Sequence, residues 1–290
     1  MWRARAAPGW MEMDPDLELY LAAIDWDDRL RQEIPAIDRV IELQRGKGQL
    51  CILDVGCGHG IHLHALARMH PCHVFDGIDV DAARAAHART MARDAGLPVT
   101  IVEGDFMERA AFPHAPYDII YAIGNSIALV WGCGNVDAVI EKVASLLAPG
   151  GYFFFQIQNN DHPRTGMTTS RVVTLASGEE RFTAKRYEPD HDLHAMRVDF
   201  ITFTRHPGAP RFDASVTPYS WHLISWNEIT RLLKAHEFTR VDAWADYAST
   251  PFDPASSTDV IALAKKNLGE SMLSDGKGMR LAGRWTRGEP

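Results

Sequence analysis

The chain has 290 residues, 46% of them hydrophobic and 23% charged, with a formal net charge of −8. That length allows one large domain, or one domain with a small insertion, and the negative balance argues against a polyanionic partner such as nucleic acid. No apolar run approaches the roughly 20 residues that span a bilayer. The opening MWRARAAPGW has arginines but lacks the apolar stretch of a secretory signal, so a cytoplasmic protein is expected, with Met11 and Met13 as rival starts.

Cys51, Cys57, Cys72 and Cys133 fit no disulfide framework and read as reduced, small apolar residues. His59, His62, His64, Cys72 and His73 cluster in sequence. On a helix, however, His62 and His64 point about 200° apart, so no metal is expected.

Residues 14–45 are predicted helical: Leu17, Tyr20, Leu21 and Ile24 recur at helical spacing, and Leu30, Ile34, Ile37 and Ile41 continue the stripe, with Pro35 as the expected break or kink. From 50 to 158 strands and helices alternate. Strands are expected at 50–55, 74–79, 99–103, 117–123 and 151–157, and helices at 61–69, 82–95 and 135–147. Asp81 can cap the second of these helices and Gly96 can end it. Ala148-Pro149-Gly150-Gly151 reads as a turn into the fifth strand. Such alternation implies a parallel sheet covered on both faces. Residues 169–222 then hold β-rich runs separated by turn pieces, which predicts an antiparallel meander. A capping box, Ser225 to Glu228, opens a last helix to about 236, and strands near 238–246 and 258–265 follow.

The motif that carries most chemistry is Cys51-Ile52-Leu53-Asp54-Val55-Gly56-Cys57-Gly58-His59-Gly60. A hydrophobic strand feeding a glycine-rich turn at a helix start is the first βα unit of a Rossmann-like fold, where free N–H groups and the helix dipole face a ligand. In a dinucleotide fingerprint the third glycine would stand at 61, where this chain has Ile61. Asp54-Val55-Gly56-x-Gly58-x-Gly60 instead resembles motif I of the class I S-adenosylmethionine (SAM) methyltransferases, whose turn cradles the amino acid part of the cofactor.

The resemblance implies SAM as cofactor and sets further expectations. An acid roughly 20 residues on, at the end of the second strand, should hold the ribose hydroxyls. Asp79, followed by Val80, stands there; Asp76 and Asp81 are its rivals. A carboxylate suits the task because it accepts from two hydroxyls at once. After the third strand, Asp105 is expected to accept from the adenine amino group and Phe106 to pack on the ring, although Gly-Asp is also an ordinary turn. The fourth strand ends in Ile123-Gly124-Asn125-Ser126, a loop expected beside the transferring methyl, or simply an Asn-Ser helix start.

Further segments narrow the likeness. YDIIYAIGNSIALV, LLAPGGYFFFQIQNND and TPFDPASSTDVIALAKK together resemble the glycine/sarcosine N-methyltransferase-like branch. The leading Tyr20, Trp26 and Arg29 resemble that branch's first helix. The resemblance implies that all three lie over the cofactor and that Arg29 reaches the SAM carboxylate, although a solvated helix face would also account for Arg29. One departure matters. Where the branch reads Arg-Asn-Tyr-Asp, this chain reads Gln158-Asn159-Asn160-Asp161. Glutamine lacks the charged fork that grips a carboxylate, which disfavours glycine or sarcosine as acceptor. Arg164 and Arg171 are possible substitutes, though no spacing singles out either.

The resulting expectation is a Rossmann-like α/β methyltransferase fold. Its parts are an N-terminal helical lid (1–45), a SAM-binding core (46–158), a β-rich substrate-side insertion (159–222), the C-terminal part of the core (223–266) and a mobile tail (267–290). The expected activity is methylation of a small-molecule acceptor, N-directed, by in-line transfer. Asn125 and His222 are the candidate catalytic residues, with His162 as a second possible base. Trp131, Gln158, Asn160, Tyr219 and Trp221 are candidate acceptor contacts. Such aromatics, Tyr187 among them, form core when taken singly; as a group they can wall a pocket. Two alternatives stay open: O- or C-methylation of an aromatic natural product, and a SAM-binding regulator without catalysis. No nucleic acid or membrane partner is expected, and a homodimer is left open.

Overall fold

A computed structural model describes residues 15–108, 112–132 and 135–269. Cys133, both rival starts and the tail from 270 lie outside the described residues. The chain opens with helices α1 (Pro15–Ala23) and α2 (Trp26–Glu42). It continues through β1 (Cys51–Val55), α3 (Ile61–Met69), β2 (Val74–Asp79), α4 (Ala82–Asp94), β3 (Val99–Glu103) and β4 (Tyr117–Ala122). Next come the short α5 (Ser126–Trp131), α6 (Val136–Leu146) and β5 (Leu147–Gln158). A second sheet follows, made of β6 (Gly166–Thr169), β7 (Val173–Thr174), β8 (Glu180–Asp190), β9 (Ala195–Arg205) and β10 (Asp213–His222). The last elements are α7 (Trp226–Ala235), β11 (Phe238–Trp244) and β12 (Asp259–Lys266).

The main sheet runs β11-β12-β5-β4-β1-β2-β3. Its pairs are parallel from β5 to β3, while β12 is antiparallel to β5 and to β11. Side chains alternate across the pleat, so neighbours in one strand serve opposite faces. Ile52, Ile119 and Phe154 pack with α2, α3 and α4; Leu53, Ile120, Phe153 and Phe155 pack with α5, α6 and α7. The second sheet is antiparallel, in the order β10-β9-β8-β6 with β7 on β8. Tyr187, Met196, Val198 and Trp221 from it join the core on the α5–α7 face. The meander is thus fastened to the main sheet through shared core.

Two boundaries differ from the sequence expectation. The leading helix breaks at Ile24–Asp25, not at Pro35. Asp25 starts a new helix by accepting the Asp28 N–H at 3.0 Å, and Pro35 lies inside α2, flanked by buried Ile34, Ala36 and Ile37. Burial on both sides offsets the one hydrogen bond a proline removes. The fifth strand begins at Leu147 because the Ala-Pro-Gly-Gly segment is itself paired: Leu147 lies opposite Tyr117, and the Gly150 N–H reaches the Asn267 carbonyl. Among the described residues, no helix is long and apolar enough to cross a membrane.

Candidate active site

The carboxyl ends of β1, β2 and β4 meet at the glycine-rich turn. The N–H groups of Gly56 and Cys57 both bond the Ile78 carbonyl, at 2.8 and 3.0 Å, and hold the turn against β2. Gly56 has φ +77, and a Cβ there would stand 2.6 Å from the Ser126 Cβ, so the turn after β4 passes directly against it. At Gly58, φ +56, a Cβ would meet only the Tyr20 hydroxyl at 3.9 Å. Gly58 is buried, yet its bare backbone faces a gap with room for a Cβ beneath the Tyr20 hydroxyl.

The three aspartates of the second βα unit separate by their bonds. Asp76 is sealed in the sheet with Tyr117 and His114 on its oxygens. Asp81 caps α4 through the Arg84 N–H. Asp79 stands at the strand end, where Oδ2 accepts from the Gly58 N–H at 2.7 Å and Oδ1 from the Asp81 N–H at 2.9 Å. Each oxygen keeps a lone pair. Val80 beside it is 73% exposed. Asp54 is buried below the turn, and burial pushes its carboxyl up to about 8.

After β3, Asp105 is exposed and closes a tight turn by accepting the Met107 N–H at 2.6 Å. Phe106 departs from expectation. It is 4% exposed, with its ring among Phe112 and the Lys142 ammonium, so core packing rather than an open ring-binding surface claims it.

After β4, buried Ile123 leads into Gly124 and Asn125, whose φ is +65. A left-handed asparagine is uncommon and persists where neighbours determine it. Here the Asn125 N–H donates to Gln156 Oε1 at 2.8 Å, and its Oδ1 accepts from the Gln158 N–H at 3.0 Å. Gln156 in turn donates to Asp259 Oδ1 at 2.7 Å, which ties the loop to β12. Sequence reasoning missed Gln156; its only mark is a glutamine inside an apolar strand.

The N-terminal helices cover this turn. Arg29 donates to Glu33 through Nε and Nη2 at 3.0 and 2.8 Å, and Glu33 meets His62 Nε2 of α3 at 2.5 Å. Although burial opposes it, the His62 and Arg29 contacts hold the Glu33 carboxyl below its usual range. A Cβ at Gly124 would come within 3.5 Å of Arg29 Nη2, which sets the guanidinium beside the β4 turn. The Tyr20 ring packs on Trp26 at 5.2 Å, and Trp26 on His59 at 4.3 Å, edge to face. The Arg84 guanidinium lies 4.4 Å from the Tyr20 ring. Burial and the charges of neighbouring histidines and Arg84 push His59 down to about 3, and its Nε2 has no partner.

Residues 52–151 match a family model described as a methyltransferase domain. An uncharacterized methyltransferase of Mycobacterium tuberculosis is 30% identical over 167 residues, which cover 55% of this chain and 80% of that protein. The chain belongs to the class I SAM-dependent methyltransferases. A ubiquinone biosynthesis O-methyltransferase of Cronobacter sakazakii is 31% identical over 110 residues, 38% of this chain and 43% of that relative. Among solved structures, a sugar N-methyltransferase from Streptoalloteichus superposes with a TM-score of 0.63 at 16% identity, covering 92% of this chain and 98% of that one. A SAM-bound amino pentose methyltransferase from Micromonospora echinaspora gives 0.60 at 15%, covering 83% and 96%.

The residues present in the methyltransferase fit SAM. Gly58 offers a bare backbone cradle, Asp79 two unfilled lone pairs, and Arg29 a guanidinium whose side chain is 29% exposed. Val80 supplies uncovered apolar surface.

On the acceptor side the sequence candidates divide. Trp131 and Trp221 are core residues, at 2% and 4% exposure, each with an indole N–H that finds no partner among the described residues. Gln158 Oε1 and Asn160 Nδ2 are likewise buried without partners, while Asn159 and Asp161 are structural ties to residues 254–257 and to the first turn of α7. Tyr219 is 49% exposed and meets Phe200 edge to face. His222 is not brought to the glycine-rich turn. It lines a separate cleft with Asp137, Glu228 and Arg231, because alternation along β10 puts it on the face opposite Trp221. His162 is exposed on the stretch after β5. Arg171 is taken by the Ala22 carbonyl of α1, at 2.6 and 3.1 Å.

Proposed function

We propose that the methyltransferase transfers a methyl group to the nitrogen of a small-molecule amine. The observation that carries this reading is the charge around the crevice. Burial together with Arg164, Arg29 and Arg84 pushes the Lys185 ammonium below its ordinary value. A desolvated, cationic surrounding of this kind favours the neutral form of an acceptor amine, the form whose lone pair is free to attack. Hydroxyl or carbon acceptors need a base. His59, held near 3, is a poor one, and His222 faces another cleft. The Streptoalloteichus and Micromonospora neighbours, an N-methyltransferase of sugars and a methyltransferase of amino pentoses, support the reading, as does the resemblance to the glycine/sarcosine branch.

SAM supplies a methyl already activated on a sulfonium. The chain's part is to align and enclose. In this reading Asp79 accepts from the ribose hydroxyls, Gly56 and Gly58 admit the amino acid part, Arg29 pairs with its carboxylate, and Asp105 and Val80 serve the adenine. Asn125, fixed by Gln156 and Gln158, orients the acceptor nitrogen beside the transferring methyl, and the proton leaves that nitrogen to solvent after transfer. Trp131, Gln158, Asn160, Tyr219 and Trp221 shape the acceptor's surroundings.

The test is turnover of methyl-labelled SAM against a panel of amino sugars, aromatic amines and matched alcohols. Label on nitrogen is the expected result, with glycine and sarcosine poor acceptors because Gln158 stands in the arginine position. Label confined to oxygen or carbon overturns the reading.

A further inference from the structure

Two cations, Lys185 on the inner face of β8 and Arg164 just before β6, have no part in the cofactor reading above. Cross-strand pairing puts Lys185 opposite Phe200 and Tyr187 opposite Val198, and alternation sets Lys185 and Tyr187 on one face of β8. Tyr187 and Val198 are buried in the core shared with β4, β5 and α5, so this face looks toward the main sheet. The Lys185 ammonium lies 5.3 Å from the Phe200 ring, and the Arg164 guanidinium 5.5 Å from the Tyr187 ring. Lys185 keeps solvent access, as expected of a group lining an open crevice. The meander is tied to α1 by the Arg171 and Ala176 bonds, and Arg29 of α2 and Arg84 of α4 lie near enough to act on the Lys185 charge, which sets it on the side of the glycine-rich turn.

Even with the Asp79 carboxylate counted, the charges do not balance. Arg29 is paired with Glu33 and Arg84 with Asp81, whereas neither Lys185 nor Arg164 makes an ion pair among the described residues. SAM does not supply the missing charge. Its sulfonium and ammonium outweigh its single carboxylate, so cofactor binding adds positive charge to the crevice. A cluster of like charges beside an aromatic wall is relieved by an anion on the remaining ligand.

We infer that the acceptor is an acid: a small molecule bearing a carboxylate on a ring or apolar body, with Lys185 and Arg164 taking the carboxylate and Tyr187, Phe200 and Tyr219 taking the body. This rests on the reading above that meander residues, Tyr219 and Trp221, help shape the acceptor's surroundings. It assigns to two basic residues on other elements the work for which Gln158 lacks the charge. Arg164 adds a planar fork suited to a carboxylate, and Lys185 a point charge.

The experiment is calorimetric titration of phenylacetate, and of its uncharged analogue phenylacetamide, into the full chain saturated with S-adenosylhomocysteine. Phenylacetate should bind at least about tenfold more tightly than the amide. Lys185→Met should abolish that preference while leaving S-adenosylhomocysteine affinity within about twofold of the native value, which also reports that the variant is folded. Arg164→Gln should reduce the preference in the same direction and serves if Lys185→Met fails to fold. Equal affinities, no detectable phenylacetate binding at about 10 mM, or an undiminished preference in both variants overturns the inference. The N-methylation reading fails separately, through the position of the transferred label.

Discussion

Both oxygens of Asp79 already accept a backbone N–H, from Gly58 and Asp81. Replacing it by alanine removes the expected ribose acceptors and leaves the Gly58 N–H without its partner. Asp79→Ala is therefore expected to weaken SAM by about 1–3 kcal/mol, the scale of unpaired polar groups, as read by calorimetry; unchanged affinity would remove Asp79 from the site. His59 makes a prediction about acid stability. Its pKa is held near 3 in the fold, against about 6.5 in an unfolded chain, so the unfolded state binds the extra proton between those values. Stability tied to this ring is intact above pH 6.5 and is lost as pH falls toward 3. At pH 5 the loss relative to pH 7 is about 2 kcal/mol. His59→Phe keeps the ring contact with Trp26 and removes the titration, so denaturation at pH 5 and pH 7 should differ less in the variant. The same acid sensitivity in both proteins would refute this.

At the scale of elements, α2 has two roles divided near residue 33. Its second half is core: Ile34, Ile37, Val40 and Ile41 are buried against the main sheet. Its first half, with α1, covers the glycine-rich turn and is fastened outward to the meander by the Arg171 bonds to the Ala22 carbonyl and the Ala176 N–H bond to Glu18. Of the expected lid, 1–45, the described part before Glu33 packs on the glycine-rich turn through Tyr20 and Trp26, while the part after it is core. Deleting residues 1–32 should leave a folded chain with much weaker SAM binding and almost no turnover, and Arg29→Ala should reproduce part of the affinity loss. Amide exchange across residues 17–32 should slow when SAM is added. Equal exchange in both states, together with full activity of the deletion, would reduce the segment to scaffold.

For the whole molecule, the decisive feature is that the meander contributes to the main core. Trp221 is 4% exposed and packs in the cluster that holds Phe153 and Phe155. Its indole N–H has no partner among the described residues, so truncation forfeits mainly packing. Trp221→Ala should cost about 3–5 kcal/mol, the range for large aromatics in cores. Unfolding followed by circular dichroism and by fluorescence should remain one coincident transition, as for elements sharing a core. Two separated transitions would show the meander to be an independent unit.

The sequence by itself determined the alternation of β and α elements, the glycine-rich turn and the acid at the end of β2. These are local: apolar period, capping residues and glycine placement act within a few residues. Strands 74–79 and 99–103 and helix 61–69 fall where the pattern puts them. What required tertiary structure was anything decided by a distant partner. Pro35 stays in its helix because buried neighbours flank it, and the Ala-Pro-Gly-Gly segment joins β5 because Tyr117 and Asn267 pair with it. Phe106 turns into the core toward Phe112, and His222 turns away because strand alternation fixes its face. Gln156 is marked only as a glutamine inside an apolar strand, and nothing local singles out Lys185. Their positions follow from a hydrogen bond to Asp259, 103 residues on, and from the pairing of β8 with β9.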